Sequence, residues 1–430
     1  MSCARAARPE LLRAIGRWDL TAAVLNGVIG SSIFGLPGTL AKLVGAWSPL
    51  ACLAAGVGTL LVVLCFAEVA SRFREAGGPY LYAREAFGPL VGFEAGWLTF
   101  WIRVTAVAAN LNVFVQYLSE IAPLARSSVG RAAVITTLVL LVALVNLRGV
   151  RQATWTINVF TLAKLLPLLL LIVLGLPALS RATLLTQTVT APDWTQAVLL
   201  LVFAYGGFEA PLIPASEAKD PRRDSGFALL VAFGLVAGLY MLVQLTVVGL
   251  VPEVRRQAAP LAAAFGLLLG PAGVTLAALT AMVSVYGYAI GNALQSPRVL
   301  FAMAQRGELP AVLARVHRSF RTPYAAIALY AAIVWCLALY GSFEWNATLS
   351  AVVRLVTYAL TCAALIAFRR RRALEPPGFQ VPAGMAVAIA GSAFCLGLLA
   401  TRSFAQAGVL VALAGVGPLL WLWSRRTTAR

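Results

Sequence analysis

Apolar residues run through this chain in long blocks separated by short polar connectors. A helix needs about 20 mostly apolar residues to cross a bilayer. By that measure the pattern predicts twelve spans, at 18–41, 46–71, 88–119, 130–147, 153–176, 194–218, 226–250, 269–303, 324–341, 346–368, 382–401 and 405–424. The third and eighth are long enough to tilt or to extend beyond the membrane. The connectors are marked by proline and glycine, as in Glu375-Pro376-Pro377-Gly378, and none is long enough for a soluble domain. The chain therefore reads as one all-α integral membrane domain, residues 1–430.

Composition sharpens this picture. Of 430 residues, 60% are hydrophobic and 12% charged, against about 25% charged in soluble domains. That excludes an ordinary soluble enzyme, and the hydrophobicity excludes a disordered chain. Thirty-four Lys and Arg against 16 Asp and Glu give a formal +18. The excess is placed asymmetrically. With the N-terminus inside, 23 basic residues fall in cytoplasmic connectors and seven on the opposite side, which predicts both termini cytoplasmic in an inner membrane. Arg369-Arg370-Arg371-Arg372 reads as a contact for anionic membrane lipid rather than for nucleic acid. Arg5, Arg8, Arg13 and Arg17 precede the first apolar run, but no small-x-small site ends it, so the segment reads as retained. Cys52, Cys65, Cys336, Cys362 and Cys395 lie in apolar segments and, with Cys3, show neither metal-ligand nor disulfide spacing; the five read as small buried hydrophobes.

Two spans are interrupted. The first contains Gly27-Val28-Ile29-Gly30-Ser31-Ser32-Ile33-Phe34-Gly35-Leu36-Pro37-Gly38, in which four glycines and a proline weaken the helix. The sixth contains Phe203-Ala204-Tyr205-Gly206-Gly207-Phe208-Glu209-Ala210-Pro211, with Pro211 placed to open a second half-helix. Irregular backbone at membrane depth is tolerated only where it is buried or lines a cavity. Interruptions at positions one and six point to an inverted repeat in which the second unit enters from the opposite side. The first unit is then 18–176, the second 194–368, and 382–424 adds two helices. Close helix packing is the competing explanation for such glycines.

The breaks suggest a chemistry. The N–H groups of Gly30, Ser31 and Ser32 at the positive end of a half-helix suit a carboxylate. Carbonyls of Val28 and Ile29, with those of Phe203, Ala204 and Tyr205 beside Gly206, suit an ammonium group. An α-amino acid fits such a clamp.

These segments resemble the amino acid–polyamine–organocation superfamily of transporters over nearly the whole chain. The first break is similar to that family's Gly-Ser-Gly segment, with Ser32 in place of the last glycine. Ala67-Glu68-Val69-Ala70-Ser71-Arg72-Phe73 and Glu75-Ala76-Gly77-Gly78-Pro79-Tyr80-Leu81-Tyr82-Ala83-Arg84 resemble its loop after span two. Phe203 to Pro221, with Ala215-Ser216-Glu217-Ala218-Lys219-Asp220-Pro221, resembles its sixth span and exit, and Pro297-Arg298-Val299-Leu300-Phe301 with Arg321-Thr322-Pro323 resembles the end of span eight and its loop. The resemblance implies secondary transport of amino acids or amines, by proton symport or by exchange, on the leucine-transporter fold. It also implies that Phe203 is a gate over the substrate. Lys164 would stand where sodium-coupled relatives bind an ion, tying span five to carbonyls of spans one and eight and coupling protonation to opening. Snorkelling to an interface is the structural alternative for Lys164.

Glu209 follows the second break, where a carboxylate can read an ammonium, carry a proton or cap the half-helix. Phe208 reads as apolar packing toward lipid. Arg298 reads as a gate or salt-bridge element, and Arg354 as reaching Glu or backbone carbonyls. Arg103 either faces the substrate path, favouring acidic or neutral side chains over cationic ones, or pairs with Glu94 or another acid. Glu68 reads as a cytoplasmic-side contact and His317 as a loop residue. No triad, phosphate loop or metal spacing appears, so neither an enzyme nor a cofactor is expected. The expected partners are an amino acid, protons and membrane lipids, for a monomer or a homodimer. A polyamine or organic-amine carrier is the alternative within transport, and a channel or non-transporting subunit the one outside it.

Overall fold

A computed structural model describes residues 16–73, 77–148, 154–179, 189–209, 221–371 and 377–428. Among the described residues the secondary structure is helical throughout, without a strand. Eight stretches among the described residues are long and apolar enough to cross a membrane, and two shorter apolar helices, Tyr324–Tyr340 and Gly384–Ala400, accompany them. Large apolar side chains point outward along these helices, among them Leu140, Leu166, Val173, Val411 and Leu419. Such surface is stable against lipid and not against water. The protein is a multi-pass membrane protein.

The first predicted span is two helices, α1 (Arg17–Val28) and α2 (Ser32–Val44). The interruption is narrower than the sequence suggests, because Pro37 lies inside α2. Gly35 and Gly38 serve close packing there rather than unwinding. A Cβ on Gly35 would meet the Phe343 ring at 2.7 Å, and one on Gly38 the Gln257 carbonyl at 3.1 Å. The second span is α3 (Ser48–Ala70), and a short helix, α4 (Gly78–Phe87), follows it. The third, α5 (Pro89–Ile121), is the buried centre, 94% of its apolar window lying inside the protein. Next come α6 (Ser128–Arg148), α7 (Thr154–Gly175) and α8 (Ala191–Tyr205). The half-helix expected from Pro211 lies outside the described residues, as do the 210–220 exit motif, Cys3, the basic residues before 16, and Arg372. Beyond it run α9 (Pro221–Leu250), α10 (Pro260–Gln305), α11 (Tyr324–Tyr340), α12 (Phe343–Arg370), α13 (Gly384–Ala400) and α14 (Phe404–Thr428). Gly270, at φ 63°, divides α10 near the predicted start of the eighth span. Around α5 pack α4, α10, α11 and α12.

Two expectations are corrected. Phe208 does not face lipid. It is fully buried, its ring 5.2 Å from that of Phe66 and 5.3 Å from that of Tyr358. Cys336 is exposed on α11, whereas Cys52, Cys65, Cys362 and Cys395 are buried.

At one end of the bundle Glu68 is buried and takes both oxygens to Arg369 (2.9 and 2.5 Å), with Arg72 at 3.1 Å and the Val381 N–H at 2.9 Å. Glu308 accepts from Tyr80 at 3.2 Å and Arg84 at 3.4 Å, joining α4 to the turn that follows α10. Burial holds the Glu308 carboxyl above its ordinary value of 4.5. A raised acid stabilises the fold below its unfolded pKa and loses that contribution as pH rises through the folded value. Melting temperatures of Glu308→Gln and the parent should therefore move in the variant's favour as pH rises from 4.5. Movement the other way would show that the Arg84 ion pair outweighs burial.

Candidate functional site

The break between α1 and α2 leaves backbone groups without helical partners, and side chains from four other helices meet most of them. Asn110 on α5 accepts the Ser31 N–H at 2.9 Å. Tyr240 on α9 donates to the Val28 carbonyl at 3.1 Å and also lies 3.1 Å from the Ser32 hydroxyl. Ser284 on α10 reaches the Ile29 carbonyl at 3.3 Å and the Gly30 carbonyl at 3.1 Å. Lys164 on α7, fully buried, donates to the Ile29 carbonyl at 2.6 Å and the Asn26 carbonyl at 3.1 Å. Both of its acceptors belong to the first span, and span eight joins the same Ile29 carbonyl through Ser284. The Gly30 N–H turns back to Val28 at 2.9 Å. The Ser31 hydroxyl is buried with no partner among the described residues.

The second break abuts the first. Gly207 has φ +106°, and a Cβ there would collide with the Gly27 carbonyl, so this turn needs glycine. At Gly206 the Arg354 guanidinium occupies the place a Cβ would take. Arg354 donates to Glu209 Oε1 at 2.6 Å, while Glu209 Oε2 accepts the Gly207 N–H at 2.9 Å and the Tyr358 hydroxyl at 3.3 Å. Glu209 thus caps its own turn and anchors a buried ion pair to α12. The Phe203 carbonyl accepts the Gly206 N–H at 3.2 Å, and the Phe203 ring stands edge-on to Phe343. Ala204 is buried, and Tyr205 donates to the Cys52 carbonyl at 2.8 Å and stacks on Tyr240. A cavity of about 20 Å³ lies beside the break, lined by residues that include Ser32, Leu36, Ala204, Tyr240 and Gln244. It holds about one water, so a larger guest enters only if the surrounding helices part.

Other sequence expectations resolve differently. Arg103 does not pair with Glu94; it donates to Gln295 at 3.2 Å. Arg298 donates to the Leu294 carbonyl of its own helix and joins no salt bridge among the described residues. His317 lies in a loop and accepts the Ser319 and Phe320 N–H groups at 3.2 Å. Sequence reading passed over Asn110, Tyr240, Ser284 and Tyr288. Two asparagines in one apolar span, Asn110 and Asn112, were the available signal.

Arranged in this way, the two interruptions form one centre of backbone polar groups inside a multi-helix bundle. The family model described as amino acid permease matches residues 15–423. The chain belongs to the amino acid permease family. Through it, the permease falls in the amino acid–polyamine–organocation superfamily. It is similar to the serine/threonine exchanger SteT of Bacillus subtilis (strain 168), 28% identical over 94% of this chain and 96% of that protein. It is also similar to the methylthioribose transporter of the same strain, 26% identical over 97% and 94%. Cationic amino acid transporter 4 of Mus musculus is 28% identical over 85% of the permease and 61% of its own length. The permease is a transporter by family. The cargo named for these relatives differs from one to the next.

Proposed function

We propose that the permease is a secondary active transporter that moves L-amino acids across the cytoplasmic membrane by alternating access. The observation that carries this reading is the first break. Its backbone groups are held by Asn110, Tyr240, Ser284 and Lys164, and the Ser31 hydroxyl beside them is unpartnered. A substrate carboxylate takes the Ser31 N–H in place of Asn110, with the Ser31 hydroxyl as a second donor. Its ammonium takes carbonyls at Val28 or in the 203–205 turn. Exchanging side-chain partners for substrate loosens the ties between α1, α5, α9 and α10, which is the differential binding a conformational change requires. A carboxylate-free amine would leave the Ser31 N–H on Asn110 and the Ser31 hydroxyl without a partner, so it gains nothing from this end of the break, which disfavours a polyamine carrier.

The frame in this reading is the 5+5 inverted repeat, 18–176 and 194–368, with 382–424 added and both termini cytoplasmic. Lys164 is the coupling group, a protonatable cation standing where a bound cation would otherwise hold α7 to α1. Exchange is supported by the likeness to a serine/threonine exchanger. Purified permease in liposomes should take up labelled L-amino acids against a preloaded unlabelled pool or along an imposed pH gradient. Uptake in preloaded vesicles alone assigns exchange, and uptake in empty vesicles with a gradient assigns proton symport. No movement of any amino acid under either condition would sink the proposal.

A further inference from the structure

Arg103 is a guanidinium in the middle of α5, 4% exposed. Its one hydrogen bond among the described residues is to a neutral amide, Gln295 on α10, and its other terminal nitrogen, Nη2, is buried without a partner among them. A buried charge left with one neutral hydrogen bond is costly. No acid among the described residues pairs with it. Glu209 lies within electrostatic reach of Arg103, but both its oxygens are committed to Arg354, Gly207 and Tyr358. Glu94 sits toward α14, beside Gly417 and Trp97.

The position of Arg103 relates it to the first break. Asn110 and Arg103 are seven residues apart on α5, two helical turns along one face, about 10 Å. On α10, Tyr288 and Gln295 are separated by the same seven residues. The upper pair, Asn110 and Tyr288, both flank Gly30, at 3.2 and 3.3 Å from the place of its missing Cβ. The lower pair, Arg103 and Gln295, bond each other. The two faces therefore run together from the break to the guanidinium.

We propose that Arg103 is the specificity-determining residue of the permease and that its preferred substrates are acidic amino acids. This inference rests on the reading of the break as the amino acid site. With the α-carboxylate and ammonium held at Gly30–Ser31, a short side chain bearing a second carboxylate extends toward Nη2. The bond to Arg103 discharges the buried cation, and a cationic side chain is repelled. The permease thus departs from the cationic cargo named for one of its relatives.

The test is a transport panel with full-length permease in liposomes: labelled L-glutamate and L-aspartate against L-glutamine, L-asparagine, L-serine and L-arginine. The parent protein should prefer each acid to its amide by about 10- to 100-fold in kcat/KM, the worth of one charge-assisted hydrogen bond. Arg103→Gln should collapse that ratio to near unity, and Arg103→Lys should retain part of it. A merely structural arginine would lower acids and amides together. If the parent carries neutral or basic amino acids and ignores glutamate and aspartate, the inference fails while the amino acid reading stands. If nothing in the panel is carried or bound, the inference fails, and the amino acid reading fails with it only if the remaining L-amino acids are not moved either. The parent panel decides even where Arg103→Gln does not fold.

Discussion

Arg354→Met is expected to destabilise the permease by about 3–5 kcal/mol, because it leaves the Glu209 carboxylate buried without its counter-charge. Transport should fall to background. The reasoning rests on burial, with side-chain exposure of 2% for Arg354 and 8% for Glu209, and on a 2.6 Å contact. Removing one member of such a pair costs more than removing both. Arg354→Met with Glu209→Leu should therefore recover part of that loss, short of the parent by about 1–3 kcal/mol for the Gly207 N–H left without its acceptor, while transport stays lost. Glu209→Gln keeps the shape and the acceptor to Gly207 but lowers the bond to Arg354 from charged to neutral, so it should fall between the two. Thermal unfolding in detergent reads all four proteins. A melting point for Arg354→Met equal to the parent's would show that the pair carries no stability.

The pair also explains which parts of the site could be read in the sequence. Gly206-Gly207 advertised an end to the helix, and α8 ends at Tyr205. But Arg354 lies 145 residues from Glu209, and no periodicity connects them. Only the fold brings α12 over Gly206. Phe208 was misread for a related reason. Gly207 at φ +106° turns the chain inward, so the ring after it returns to Phe66 and Tyr358 instead of following a helix surface to lipid. The Arg103–Glu94 pairing, one of the two readings of that arginine, fails on helix geometry. Nine residues at about 100° each place the two on opposite faces of one helix. Asn110 and Ser284 were harder to see. Small polar side chains are common in spans, and nothing local distinguishes one that holds a neighbouring backbone from one that bonds its own preceding turn. Asn110 does both, through Oδ1 to Ser31 and Nδ2 to Ala106.

Lys164→Ala is expected to abolish uptake driven by a pH gradient and to slow exchange by about 100-fold or more. Its ammonium makes two charge-assisted bonds to first-span carbonyls, at 2.6 Å to Ile29 and 3.1 Å to Asn26, each worth roughly 1.5–3 kcal/mol. Losing about 3 kcal/mol from one member of an open–closed equilibrium shifts the balance by about two orders of magnitude. The Ile29 carbonyl would keep Ser284, so the break does not collapse, and the folded protein should survive for assay. Lys164→Arg should restore the tie without restoring gradient-driven uptake, because a guanidinium does not release its proton. That comparison separates holding α1 in place from coupling to protons. Full accumulation by Lys164→Ala under a pH gradient would remove Lys164 from the coupling mechanism. Recovery of the gradient response by Lys164→Arg would leave it a purely structural tie.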